Sequence, residues 1–99
     1  MRLADIAHAR SGDKGDRADI GLFANDVAGY ALIRQAVTAE RVREHFAWLG
    51  VTAVHVWPLD NLLAIKIVLD GALAGGAARN LRSDNLGKTI AAALLRMPL

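Results

Sequence analysis

No cysteine occurs among the 99 residues. Disulfides, zinc–thiolate centres, iron–sulfur clusters and cysteine nucleophiles are therefore excluded, and a small disulfide-free chain suits a cytoplasmic setting. Aromatic residues are scarce: two tryptophans, two phenylalanines and one tyrosine. The ring cluster of an RNA-recognition sheet is missing. Neither sign of charge dominates, with 12 basic and 10 acidic side chains and a net charge of +2. Both signs are spread along the chain, without the dense basic patch that nucleic acid selects. No apolar run approaches the ~20 residues of a membrane-crossing helix. Arg2 and Asp5 interrupt the opening stretch, which does not read as a secretory leader. Internal repeats, linkers and low-complexity segments are absent as well.

What is present suffices for one packed domain over residues 1–99. Hydrophobic residues make up 54% of the chain, and a domain of this size buries roughly 65% of its unfolded surface. Leu3 to Arg10 reads as a first strand and Ala18 to Ala24 as a second, its Ala18, Ile20, Leu22 and Ala24 on one face. Between them, Ser11 to Asp16 has the composition of a long polar hairpin tip. Tyr30 to Val37 is a short helix. Thr38 caps another with Glu40 in its first turn, Val42, Phe46 and Leu49 along one side, and Gly50 at its end. Thr52 to Leu59 and Leu62 to Leu69 are two more strands joined by a tight turn. A glycine-rich stretch from Asp70 to Arg82, with a short strand near Asn80, precedes a last helix capped by Ser83 or Asp84. Leu86, Ile90, Leu94 and Met97 recur along that helix, and Pro98 ends it.

The order β-β-α-β-β-α is a circular permutation of the ferredoxin-like sandwich. It predicts an α+β fold, a four-stranded antiparallel sheet with helices on one face. The other face would carry His55, Trp57, Ala64, Lys66 and Val68. Such a face is too apolar for solvent alone and calls for a partner. A homodimer packed sheet to sheet, with His55, Trp57 and Lys66 at the interface, is the first expectation.

Two segments carry candidate chemistry. The hairpin tip offers His8, Ser11, Gly12, Asp13, Lys14 and Asp16. A carboxylate there can serve as a base, the lysine can hold an oxyanion, and the histidine can move a proton. The bland alternative is a solvated turn whose aspartates bond local amides. The second segment holds Gly75, Gly76, Arg79 and Arg82 ahead of the last helix. Two guanidinium groups near free amides suit a small carboxylate or phosphate ligand. The alternative there is a surface loop paired with Asp70 or Asp84. Asp13, Asp16 and Asp19 supply oxygen ligands, but Lys14 opposes a cation among them, and His8, His45 and His55 lie on different elements. Neither a metal nor a cofactor is expected. Gly87-Lys88-Thr89 lacks the upstream glycine of a phosphate-binding loop.

The run His8-Ala9-Arg10-Ser11-Gly12-Asp13-Lys14-Gly15-Asp16, followed by Asp19-Ile20-Gly21, resembles the opening signature of the C-terminal module of AtuA-type acyclic-terpene-utilisation proteins. Thr38 to Val42, Gly71 to Gly76 with Arg79 and Leu81-Arg82, Gly87-Lys88 and Ala93 to Met97 extend the likeness along the chain. Asp19, Ala77 and Asn80 stand where the family usually has asparagine, glycine and serine. The resemblance implies a ferredoxin-like architecture without an iron–sulfur centre. It also implies work alongside a larger AtuA-like protein in the breakdown of acyl-CoA or terpenoid acids. The leading expectation is an accessory or ligand-binding subunit whose site joins the Ser11–Asp16 loop to Arg79 and Arg82. A small hydratase- or isomerase-like enzyme using His8, Asp13 or Asp16, and a purely structural dimerisation domain, are the alternatives.

Overall fold

A computed structural model of the chain describes residues 1–14, 17–71 and 83–99, with the side chains of 13, 14 and 83–88 left aside. Four strands form one antiparallel sheet in the order β1-β2-β4-β3: β1 Ala7–Lys14, β2 Arg17–Ala24, β3 Ala53–Leu59 and β4 Ala64–Asp70. Helices α1 (Val27–Ala36) and α2 (Ala39–His45) connect β2 to β3, and α3 (Ser83–Leu95) follows β4. The β-β-α-β-β-α expectation holds once the adjacent α1 and α2 are taken as one helical layer.

Alternation along the two central strands decides the layering. Ala18, Ile20 and Leu22 pair with Leu69, Ile67 and Ile65, so all six share one face. They are buried in a single core with Val54 of β3, Ile33 of α1, Val42 of α2, Phe46, and Ile90 and Leu94 of α3. Burial of each such side chain contributes roughly 1.5–3 kcal/mol. The helices thus cover one sheet face, and the opposite face lies open.

Local chemistry sets the ends. Asp26 caps α1 by accepting from the Gly29 amide at 2.7 Å, and Thr38 caps α2 by accepting from the Arg41 amide at 3.2 Å. Gly50 takes the left-handed conformation after a 3-10 turn at Ala47–Leu49. Polar clasps bind the layers. Tyr30 donates its hydroxyl proton to Asp60 at the β3–β4 turn. His45 Nε2 lies 2.6 Å from the Ala93 carbonyl of α3. Arg41 donates to the carbonyls of Ala36 (3.2 Å) and Pro98 (2.7 Å).

Several boundaries differ from expectation. Leu3–Asp5 is a 3-10 turn rather than strand, with the Leu3 side chain fully buried. β1 begins at Ala7 and continues through Ser11 and Gly12 to Lys14, in register with Ile20, Asp19 and Arg17. The long polar tip is therefore mostly strand, because pairing with β2 overrides the turn-forming composition. Leu63, expected within β4, adopts φ 51 ahead of it, and α3 ends at Leu95, before Pro98. The short strand expected near Asn80 lies outside the described residues. Among the described residues, no helix is long and apolar enough to cross a membrane.

Candidate functional site

Strand register arranges the open face in rows across β1, β2, β4 and β3. His8, Phe23, Ala64 and Leu59 form one row, and Arg10, Gly21, Lys66 and Trp57 the next. Gly12, Asp19, Val68 and His55 form a third, and Arg17, Asp70 and Ala53 continue it. Polar and aromatic groups cover most of this surface. Trp57 is 47% exposed, whereas Ala64 and Val68 are buried beneath their neighbours.

Two ring pairs lie on it. His8 stacks on Phe23 with centroids 5.4 Å apart, and His55 stacks on Trp57 at 5.7 Å. The Phe23 ring folds along its strand over Gly21: a Cβ added there would meet Phe23 Cε2 at 3.0 Å. Glycine at 21 is what leaves room for the ring.

At the far end of the face, Asp70 joins three strands. Arg17 Nε donates to its Oδ1 at 3.0 Å, and His55 Nε2 lies 3.1 Å from its Oδ2. Partial desolvation raises the affinity of this carboxyl for a proton. The hydrogen bonds from Arg17 and His55, reinforced by their charges, outweigh that and hold it below the usual carboxylate range. Gly71 follows at φ +80, where an added Cβ would lie 2.9 Å from Thr52 Oγ1.

The expected site residues divide. His55, Trp57 and Lys66 do share the open face. His8 does not sit at the hairpin tip. It lies near the start of β1 beside Phe23, with Nδ1 3.5 Å from Asn25 Oδ1. Six residues separate it from Lys14, about 20 Å of strand at ~3.3 Å per residue. Ser11 points to the opposite face from His8, into a shallow groove between β1 and α3 lined also by Ala9, Ala91 and Leu95. Gly12 lies on the open face, with nothing within 4 Å of an added Cβ. Asp16, Gly75, Gly76, Arg79 and Arg82 lie outside the described residues, as do the side chains of Asp13 and Lys14.

The ends from which those segments leave are described, and they coincide. Lys14 pairs with Arg17, Ala18 with Leu69, and Arg17 bonds to Asp70, the last residue of β4. The hairpin turn and the stretch that follows Gly71 therefore start from the same end of the sheet.

The Arg17–Asp70–His55 chain was missed by sequence reasoning. No local signal marked it: a two-residue turn between Leu59 and Leu62 would set His55 opposite Lys66, whereas the longer Asp60–Leu63 turn sets it opposite Val68, one row from Asp70.

Among known proteins, the family model for the AtuA ferredoxin-like domain matches residues 1–99. No curated protein and no solved structure matches the chain.

Proposed function

The chain belongs to the AtuA ferredoxin-like domain family, and on that premise we propose that it is an accessory, ligand-binding module. It would work with a larger AtuA-like protein on acyl-CoA or terpenoid acids. The supporting observation is the Arg17–Asp70 contact at 3.0 Å, which ties the strand leaving the hairpin to the strand entering the glycine- and arginine-rich stretch. Both segments that carry the anion-binding chemistry thus begin at one end of the sheet. Ser11, Gly12, Lys14, Gly75, Gly76, Arg79 and Arg82 are the residues we assign to a carboxylate or phosphate there. The separation of His8 from that end favours binding over acid–base catalysis, since a proton-transfer group must come within hydrogen-bond reach of the reacting atom. We also read the strand order β1-β2-β4-β3 as the ferredoxin-like sandwich entered one strand early.

The test is titration of the full chain with enoyl-CoA and hydroxyacyl-CoA thioesters, alone and with a larger AtuA-like protein. Binding without turnover in the chain alone is expected, weakened at least tenfold by Lys14→Ala or Arg79→Ala. Turnover by the chain alone that disappears with His8→Ala would overturn this reading.

A further inference from the structure

The geometry points to a second copy of this chain as the occupant of the open sheet face, packed about a two-fold axis that runs along the strands between β2 and β4. This goes beyond the accessory-module reading and does not depend on it, since the rows from His8 to Trp57 lie away from the end that carries the ligand chemistry, and only the Gly12 and Arg17–Asp70 rows are common to both.

The register decides the axis. A dyad in that position lays the partner's β4 over β2 and its β3 over β1, row upon row. Each residue of β2 then faces the copy of its own cross-strand partner. Phe23 meets Ala64, large on small, and Arg17 meets Asp70, opposite charges. Lys66 comes down on the Phe23 ring that lies over Gly21, with Asp19 one row away. In the same row Arg10 of β1 stands over Trp57 of β3. Cations over ring faces are attractive, most so once water is displaced. Arg10, Arg17 and Lys66 therefore all find a counterpart, and the symmetry supplies each contact twice.

The dyad along the strands leaves one charge, Asp19, over an apolar residue, Val68. A dyad running across the strands leaves two, Asp70 over Ala64 and Lys66 over Val68, and takes Arg17 away from Asp70. A small anion alone covers little of the two ring pairs. The size also suits a second copy: four strands at ~4.8 Å and four rows at ~6.8 Å give a face of about 19 by 27 Å, roughly 500 Å² in plan before side-chain relief, against ~800 Å² per partner in a standard interface. Aligned packing of twisted sheets keeps the central rows in contact and separates only the corners.

Sedimentation equilibrium of the full chain tests this, with Lys66→Glu and Asp19→Lys prepared separately and then mixed. The wild type is expected at twice the 10.6 kDa of one chain. Each variant alone faces like charge across the dyad twice and is expected as a monomer, or as a dimer at least tenfold weaker. In the mixed dimer Glu faces Lys at one contact and Lys faces Asp at the other, so mixing restores the dimer. Both substitutions lie on the sheet surface, and circular-dichroism spectra that match the wild type confirm that folding is intact, the thermal midpoint itself being expected to fall as the dimer is lost. A monomeric wild type at high micromolar concentration overturns the proposal. So do variants that dimerise as tightly as the wild type, or a mixture that stays monomeric. A monomer that instead protects this face when a thioester or a larger AtuA-like protein is added assigns the face to that occupant and likewise overturns the proposal. Thioester binding with a monomeric chain would sink the dimer while leaving the accessory-module reading intact.

Discussion

Arg17 and Asp70 close one end of the sheet, with Nε and Oδ1 3.0 Å apart on adjacent strands, and the same carboxylate takes His55 on its other oxygen. Asp70 is thus the joint between β2, β4 and β3, and it is held ionised below the usual carboxylate range.

A group whose carboxyl is depressed in the folded state adds stability that is present above its unfolded value. That stability is lost as pH falls through the folded value. The thermal midpoint of the wild type should therefore exceed that of Asp70→Asn near neutrality. The gap should close below about pH 4. A constant gap between pH 2 and pH 7 would show that Asp70 acts by shape rather than charge.

Tyr30 is the only tyrosine in the chain, so its ionisation can be followed by absorbance without interference. Its hydroxyl donates to the Asp60 carboxylate. That bond, with desolvation and the negative charge of Asp60, raises its pKa above 10.0 against the opposing pull of Arg34. The sign is the reverse of Asp70: stability is complete below the ordinary phenol value and declines as pH rises through the folded one. The titration midpoint should fall towards the ordinary value in Asp60→Asn. An identical midpoint in both proteins would remove the clasp between α1 and the β3–β4 turn.

Gly71 and Gly12 should respond oppositely to alanine. At Gly71, φ is +80 and the new Cβ meets Thr52 Oγ1 at 2.9 Å, so Gly71→Ala should cost about 1–3 kcal/mol. At Gly12 the strand is extended and the space is open. Gly12→Ala should be neutral or stabilising by up to about 1 kcal/mol. Urea unfolding midpoints measure both, and equal effects would contradict the assigned conformations.

Much of this fold is legible in the residues. Alternation of Ile65, Ile67 and Leu69 marks β4, and Thr38 and Gly50 mark the cap and the end of the segment carrying Val42, Phe46 and Leu49. Local composition misleads where long-range pairing decides. Ser11 to Lys14 look like a turn, yet hydrogen bonding to β2 keeps them extended. Val27 begins α1 although its side chain is exposed, because Asp26 caps the helix there. Leu63 takes a left-handed conformation that favours glycine or asparagine, and its partial burial against the core is what the turn gains. The open face was foreseen from His55, Trp57 and Lys66. Its charge chain was not, because Arg17, His55 and Asp70 are far apart in sequence and meet only through register.

The absence of cysteine makes the two-fold arrangement directly measurable. In the variant Gly12→Cys with His55→Cys, the two thiols stand on β1 and β3, about 14 Å apart within one chain at ~4.8 Å per strand, but face each other across sheets packed about 10 Å apart in the dimer. A bis-maleimide whose reach falls between those distances should convert the protein to a discrete covalent dimer with every thiol consumed and no larger species. Cross-linking no faster than that of a control pair on the exposed side of α2, Glu40→Cys with Arg43→Cys, would contradict the account.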